Sequence, residues 1–278
     1  MTDIPKEIVY TQGGGRDLKI DLYHPNGKKH HQTAVLLLHG GGWRMGDKSM
    51  MALFGPELAR LGFLAVAPEY RLLGESPWPA MLQDVKAAIR WTRTHAKSLG
   101  IHPDRIAVQG FSAGAHLALM AGGTPDLPDF KDSGGDDEAS DRVAAVVAFF
   151  PPIAFTTGAP SPEAIQAETL LGKSPTEEAA RQASPVSYVS GEYPPTFLLH
   201  GTADQMVPFT TSRRMFDLLT EKGATVELHL YPRHTHEFVR LPSMMAPVMS
   251  EIALFLKRTV VNPEKYVTEN KKLNMFAR

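Results

Sequence analysis

The chain contains no cysteine. Without thiols it can form neither a disulfide nor a thiolate metal site, so its cysteine content indicates nothing about redox compartment. It also lacks long apolar runs, since none approaches the roughly 20 residues that a membrane-spanning helix needs. Residues 1–7 contain no apolar signal-peptide core. We therefore expect no membrane association and a cytoplasmic protein, although a mature chain released from a secretory signal would read the same.

Neither sign of charge is in excess. The 29 lysines and arginines stand against 30 aspartates and glutamates, which gives a formal net charge of −1. That balance argues against a nucleic-acid or other phosphate-binding surface. The length of 278 residues and the hydrophobic content of 43% are ordinary for a large globular domain with a buried core. We predict a single domain over residues 1–278.

Short apolar runs alternate with longer amphipathic ones, a pattern typical of α/β proteins. The predicted core strands are 34–38, 64–68, 106–110, 143–149, 196–200 and 226–231, preceded by an antiparallel pair at 8–11 and 18–23. The predicted helices are 50–61, 79–99, 113–121, 210–222 and 243–260. The sequence therefore predicts a mostly parallel central sheet that is flanked by helices.

Two stretches interrupt the alternation. Residues 124–142 are rich in Asp, Gly and Pro, which indicates an exposed and mobile loop. Residues 151–195 are rich in Pro, Ser, Thr and Ala, with short helices predicted around 163–171 and 176–182. This second stretch is either a small cap insertion over the carboxyl ends of the strands or an ordinary crossover with long flanking loops.

The most informative motif is Gly110-Phe111-Ser112-Ala113-Gly114, which lies where a predicted strand turns into a predicted helix. A serine on such a turn has a strained backbone and an exposed hydroxyl, and the flanking glycines leave room for the turn. Ser112 is therefore the candidate nucleophile. The alternative is that Ser112 only caps the helix that follows.

The segment His39-Gly40-Gly41-Gly42-Trp43, with three consecutive glycines, directly follows the predicted strand 34–38. Glycines leave backbone N–H groups bare, so these amides can point at a developing negative charge. We predict an oxyanion hole that is formed by the N–H groups of Gly41, Gly42 and Ala113. The helix that begins at Ala113 adds its favourable dipole there.

The acid and the base are expected after the last two predicted strands. Asp204 follows strand 196–200 on a turn, and the order Ser, Asp, His is the one found in α/β hydrolases. Two histidines follow strand 226–231, of which His236 is favoured as the base and His234 is the alternative. This set of residues needs no cofactor, and the other histidines have no metal-ligand spacing.

Taken together, these motifs resemble the α/β-hydrolase superfamily over nearly the whole chain. The resemblance implies the α/β-hydrolase fold, a mostly parallel sheet flanked by helices with a small insertion near the active site. More narrowly, the chain resembles small bacterial carboxylesterases of the feruloyl and acetyl-xylan esterase-like group, which neighbour the hormone-sensitive lipases. The resemblance rests on residues 39–43, 68–72, 110–114, 200–204 and 236–238. It implies the same catalytic triad and the same three oxyanion donors that were predicted above.

The chain departs from the hormone-sensitive-lipase pattern at several positions. Phe111 and Ala115 stand where those enzymes have Asp and Gly, and Glu237 stands where they have Gly. There is also little room before His39 for their N-terminal cap. Glu237 directly follows His236, so the assignment of His236 as the base rests on a motif that differs from the family's His-Gly-Phe by one residue.

The predicted function is hydrolysis of short-chain or small aromatic acyl esters through an acyl-serine. Trp43 and Phe111 are candidate substrate contacts, although either ring could equally belong to the core. The motif Gly110 to His116 is also similar to that of the kynurenine formamidases, which hydrolyse an N-formyl amide. A non-catalytic binding protein of the same fold and a prolyl-oligopeptidase-like peptidase are further alternatives. The expected partner is a small-molecule ester, and a homodimer could form through an edge strand or residues 263–278.

Overall fold

A single sheet of eight strands forms the centre of the molecule. The computed structural model describes residues 6–25, 27, 30–131, 136 and 138–275. The strands are β1 Lys6–Gly13, β2 Arg16–Tyr23, β3 Ala34–Leu38, β4 Leu64–Pro68, β5 Ile106–Phe111, β6 Ala145–Phe149, β7 Thr196–Gly201 and β8 Val226–Tyr231. Their spatial order is β1-β2-β4-β3-β5-β6-β7-β8. β2 pairs antiparallel with β1 and β4, and the other strands run parallel. The predicted fold class is confirmed.

Helices connect the parallel strands. They are α1 Gly55–Arg60, α2 Ala80–Thr94, α3 Ala96–Leu99, α4 Ala113–Gly123, α5 Pro162–Leu171, α6 Glu177–Ala183, α7 Thr210–Glu221, α8 Pro242–Leu256 and α9 Pro263–Met275. Short 3₁₀ turns occur at Lys48–Leu53, Pro128–Phe130, Pro185–Tyr188 and Phe238–Arg240, and a π turn at Lys257–Val261 follows α8. Within the described ranges, no helix is long and apolar enough to cross a membrane.

The helix predicted over 50–61 is two separate elements. The 3₁₀ turn Lys48–Leu53 begins where the Asp47 carboxylate accepts a 2.7 Å hydrogen bond from the Ser49 amide, and α1 then begins at Gly55. Pro56 causes the break because proline has no N–H to donate to the preceding turn. In the first turn of α1 that missing donor costs nothing. The prediction of one continuous helix was therefore wrong.

Strand β3 illustrates how the sheet divides the core into two layers. All five of its residues are buried, and successive side chains of a strand point to opposite faces. Leu36 and Leu38 pack in the layer that contains α2 and α4, whereas Val35 and Leu37 pack in the layer that contains α1 and α8. The parallel strands reach their carboxyl termini at one edge of the sheet. The loops that follow β3, β5, β7 and β8 therefore lie at this edge.

The stretch 124–142 is anchored at both ends, so its prediction as an exposed loop was wrong there. Thr124 and Asp141 are buried. The buried Lys86 ammonium donates to the Thr124 carbonyl and, at 2.9 Å, to the Asp141 carboxylate. Burial lowers the pKa of Lys86, and the attraction of Asp141 opposes that effect. Residues 132–135 and 137 lie outside the described part of the chain.

Candidate active site

Ser112 lies on the sharp turn between β5 and α4. Its φ of 53° and ψ of −116° place a non-glycine residue in a sparsely populated region of backbone space. Two glycines make the turn possible. A Cβ on Gly110 would lie 2.1 Å from the Gly114 carbonyl oxygen, and one on Gly114 would lie 2.3 Å from the His39 carbonyl oxygen. The amide of Ser112 donates to the Phe149 carbonyl at 3.0 Å, which ties the turn to the neighbouring strand β6.

Asp204 and His236 contact each other across the loops that follow β7 and β8. The distance from His236 Nδ1 to Asp204 Oδ2 is 2.6 Å. The other carboxylate oxygen of Asp204 accepts from the amides of Met206 at 2.9 Å and Val207 at 3.0 Å. The carboxylate is therefore fixed in place, and it can orient the imidazole and stabilise its protonated form.

A second histidine supports the same carboxylate. His200 Nε2 lies 2.9 Å from the Val207 carbonyl and 3.2 Å from Asp204 Oδ2, so this nitrogen carries the proton. Burial favours the neutral carboxyl, but hydrogen bonds from His200, His236 and the Val207 amide outweigh it. Together they hold the pKa of Asp204 well below its usual range. Asp204 is therefore a carboxylate throughout the neutral and mildly acidic range.

Of the two candidate bases, His236 is the one that lies against the carboxylate. Its ring packs on Phe150 at a centroid distance of 4.2 Å, and Phe150 directly follows the residue that accepts the Ser112 amide hydrogen bond. His234 instead lies near Tyr231 and Phe238, with ring centroids 6.4 and 5.5 Å away. Sequence patterns did not identify the supporting residues Phe150 and His200. His200 could have been noticed, because it ends a predicted buried strand four residues before Asp204.

The glycine loop after β3 adopts backbone angles that only glycine tolerates well. Gly41 has φ 123° and Gly42 has φ 58°. The Gly41 carbonyl accepts from the amides of Arg44 and Met45, both at 3.1 Å, which closes the loop into a tight turn. Within the described residues, no hydrogen bond uses the amides of Gly41 and Gly42. The N–H of Ala113, the first residue of α4, also has no acceptor within its own helix.

The glycine loop and the nucleophile turn are close neighbours. A Cβ on Gly40 would lie 3.4 Å from the Cβ of Ser112. His39 anchors the start of the loop, because its carbonyl accepts from the Tyr70 hydroxyl at 2.7 Å and its ring stacks on Tyr70 at 4.2 Å. The three predicted oxyanion donors thus belong to two elements that pack directly against each other.

Trp43 and Phe111, the predicted substrate contacts, are both buried, with exposed fractions of 3% and 5%. The Phe111 ring stacks on Phe54 at 4.5 Å and on Phe149 at 4.7 Å. Trp43 donates its indole N–H to His116 Nδ1 at 3.2 Å. The main role of both rings is therefore packing, and substrate contact by either remains a prediction.

His116 links three parts of the site. Its Nδ1 accepts from Trp43 of the glycine loop, and its Nε2–H donates at 2.8 Å to the Ala183 carbonyl at the end of α6. It lies in the second turn of α4, where its amide donates to the Ser112 carbonyl. Burial lowers the pKa of His116 to about 4, against a smaller opposing effect of the Ala183 hydrogen bond. The imidazole is therefore neutral, as both hydrogen bonds require.

His116 should make stability depend on pH. Because its pKa is lower in the fold than the ordinary 6.5, the unfolded chain binds the proton first, and stability falls as pH drops from about 6.5 to 4. The full effect is about 3 kcal/mol. His116→Gln, which cannot titrate, should flatten the pH dependence of the unfolding free energy measured in urea. The exposed His102→Gln is the control and should keep the wild-type slope; an unchanged slope in His116→Gln would contradict this assignment.

The segment 151–195 contributes to the surroundings of the site. Its helices α5 and α6 lie within a residue or two of the predicted positions. The Arg44 guanidinium of the glycine loop donates to the Thr169 carbonyl on α5 at 3.3 Å. A role of the segment 151–195 as a cap over the site remains a prediction. In the described part of the chain, no cluster of three or more His, Cys, Asp or Glu side chains could hold a metal ion.

An eight-stranded, mostly parallel sheet with a strained serine between β5 and α4 defines the α/β-hydrolase class. Residues 20–219 match the family model BD-FAE, so the chain belongs to the BD-FAE family. The resemblance that was predicted from the motifs is confirmed.

Curated relatives of the chain are ester hydrolases. It is 35% identical over 216 residues to the probable carboxylic ester hydrolase LipM of Mycobacterium tuberculosis, a match that covers 74% of this chain and 50% of LipM. It is 30% identical over 263 residues to carboxylesterase NlhH of the same organism, which covers 86% of this chain and 76% of NlhH. The chain spans about half the length of LipM, and 58% of the similar esterase LipQ.

Solved structures of esterase 2 from Thermogutta terrifontis have the same fold. The apo form matches with a TM-score of 0.77 and 29% identity, covering 91% of this chain and 93% of the esterase. The form phosphonylated by sarin matches with a TM-score of 0.80 and 28% identity, covering 93% of this chain and 96% of the esterase.

Proposed function

We propose that this protein is a serine carboxylic ester hydrolase that acts on short-chain or small aromatic acyl esters. The observation that carries the proposal is the 2.6 Å contact between His236 and Asp204, at the same edge of the sheet as a serine on a strained strand-to-helix turn. The His236 ring packs on Phe150, and the residue before Phe150 accepts the hydrogen bond from the Ser112 amide. Kinship with esterases and carboxylesterases supports an ester as the substrate.

The reaction follows from these placements. His236 accepts the proton of Ser112 as the hydroxyl oxygen attacks the ester carbonyl, and Asp204 stabilises the imidazolium. The amides of Gly41, Gly42 and Ala113 donate to the oxyanion of the tetrahedral intermediate. The imidazolium then donates its proton to the alcohol oxygen, the bond between that oxygen and the acyl carbon breaks, and an acyl-serine remains. Water, activated by His236, then hydrolyses that ester and releases the acid.

A panel of substrates tests the proposal. We would measure initial rates on p-nitrophenyl acetate, butyrate and decanoate, methyl ferulate, acetylated xylan and N-formylkynurenine, with Ser112→Ala as the blank. Turnover of acyl esters that disappears in the variant is the expected result. A rate on N-formylkynurenine far above every ester would instead identify a formamidase. A folded wild-type protein that turns over nothing and resists a fluorophosphonate probe would be a binding protein.

A further inference from the structure

A narrow apolar crevice opens beside the nucleophile. Six of the residues that line it are Gly40, Met50, Met51, Phe111, Phe150 and Val239. Its charged residues, Glu237 and Arg240, are both more than a third exposed and pair with each other at 3.5 Å. The paired charges therefore face solvent, and the remaining wall is methionine, phenylalanine, valine and glycine.

The walls of this crevice are the neighbours of the reacting groups. Gly40 lies against Ser112, whose Cβ would stand 3.4 Å from a Cβ at that position. Phe111 immediately precedes the nucleophile, and Phe150 packs on the His236 ring at 4.2 Å. A group bonded to the carbonyl carbon under attack by Ser112 therefore lies within reach of the crevice.

The crevice is small. The free space within it is about 10 Å³, the room of one water molecule or one methyl group. Met51 is 2% exposed and Met50 is half-buried, and both belong to the 3₁₀ turn Lys48–Leu53 that forms one wall. An acetyl methyl fits this space, whereas a longer chain or an aromatic ring would have to displace a methionine side chain of the wall.

Of the two halves of the ester, the acyl group is the one that we expect in the narrow crevice. The acyl group stays bonded to Ser112 through both halves of the reaction, whereas the alcohol must leave and water must enter. A second opening of about 580 Å³ lies between Arg44 of the glycine loop and the segment 169–179. This opening is far larger than the crevice, and it borders the glycine loop through Arg44.

We infer that the crevice is the acyl subsite and that Met50 and Met51 restrict the enzyme to acetyl esters. This inference rests on the proposed ester hydrolase function and narrows its substrate class. It assigns acyl-length specificity to a 3₁₀ turn that contributes no residue to the triad or to the oxyanion hole.

The test compares p-nitrophenyl acetate with p-nitrophenyl butyrate, so that the alcohol is constant. Wild-type kcat/KM should favour acetate by at least about tenfold, since one or two methylene groups that do not fit a pocket typically give a discrimination of that size. Met50→Ala should raise the butyrate-to-acetate ratio by about tenfold. Met245→Ala is the matched control, because Met245 is also half-buried against the same core layer but does not line the crevice. Its ratio should equal that of the wild type.

Met51→Ala serves as a second variant, with its thermal unfolding measured alongside because Met51 is buried. It should also raise the butyrate-to-acetate ratio. Equal wild-type rates on the two esters, or an unchanged ratio in both Met50→Ala and Met51→Ala, would overturn the acyl subsite and leave the ester hydrolase function standing. Absence of turnover of every ester in the panel would overturn the proposed function, and the subsite with it.

Discussion

Replacing Ser112 with alanine is expected to lower kcat by about 10⁴ to 10⁶-fold, since no other group at this turn can form the acyl-enzyme. KM should change little. The fold should survive, because alanine occupies no more space than serine and the glycines on either side of the turn are untouched. The measurement is the initial rate on p-nitrophenyl acetate, with thermal unfolding of both proteins followed by circular dichroism.

A fluorophosphonate probe gives a second readout of the same variant. Wild-type protein should gain the mass of one phosphonyl group, and Ser112→Ala should gain none. Labelling that persists in the variant, or a variant that retains more than a few per cent of wild-type kcat, would show that another residue is the nucleophile.

The two histidines after β8 form a matched pair for the base. His236→Ala should reduce kcat by several orders of magnitude, because His236 alone of the two contacts Asp204. His234→Ala should have a small effect, since the contribution of His234 to the Asp204 loop is a backbone one, its carbonyl accepting from the Ala203 amide at 2.9 Å. If His234→Ala removed activity and His236→Ala did not, the assignment of the base would be wrong.

The elements that the sequence predicted well have their determinants close together in the chain. The turn at Ser112 could be predicted because its glycines, the strand before it and the helix after it occupy one continuous stretch. Asp204 and His236 could be predicted as a pair because they follow β7 and β8, and parallel strands bring their carboxyl ends to one edge of the sheet. The contact between them depends on loop conformations, which no local pattern specifies.

The parts that escaped prediction depend on distant partners. Residues 124–142 are polar enough to indicate an exposed loop, yet Lys86, 55 positions before Asp141, holds the buried end of that segment. Phe150 was given no role from the sequence, because it only follows the predicted strand 143–149, but its contact with His236 makes it a wall of the site. The composition of a segment shows that its residues are polar, but it does not show which distant side chain will pair with a polar group and allow its burial.

A substitution in the glycine loop should also have a large effect. Gly41→Ala is expected to lower kcat by about 10² to 10³-fold, the usual cost of losing one oxyanion donor. A Cβ at Gly41 would lie 2.0 Å from the Met45 carbonyl oxygen, and the φ of 123° is accessible essentially to glycine alone. The loop must therefore open, and its amides move away from the oxyanion. Because the donors act on the transition state, kcat should fall while KM stays nearly constant.

Gly42→Ala, one residue further along, separates steric disruption from the general effect of removing a glycine. A Cβ at Gly42 would meet nothing within 4 Å, and its φ of 58° lies in the left-handed region that other residues enter at a cost of about 1 kcal/mol. This variant should lose a little stability and less than about tenfold in kcat, because the loop keeps its shape and the amide its direction. Steady-state kinetics of both variants, with urea unfolding as the stability measure, decide the matter. If Gly42→Ala were as damaging to kcat as Gly41→Ala while both remained folded, the tight turn closed by the Gly41 carbonyl would not be what positions the oxyanion donors.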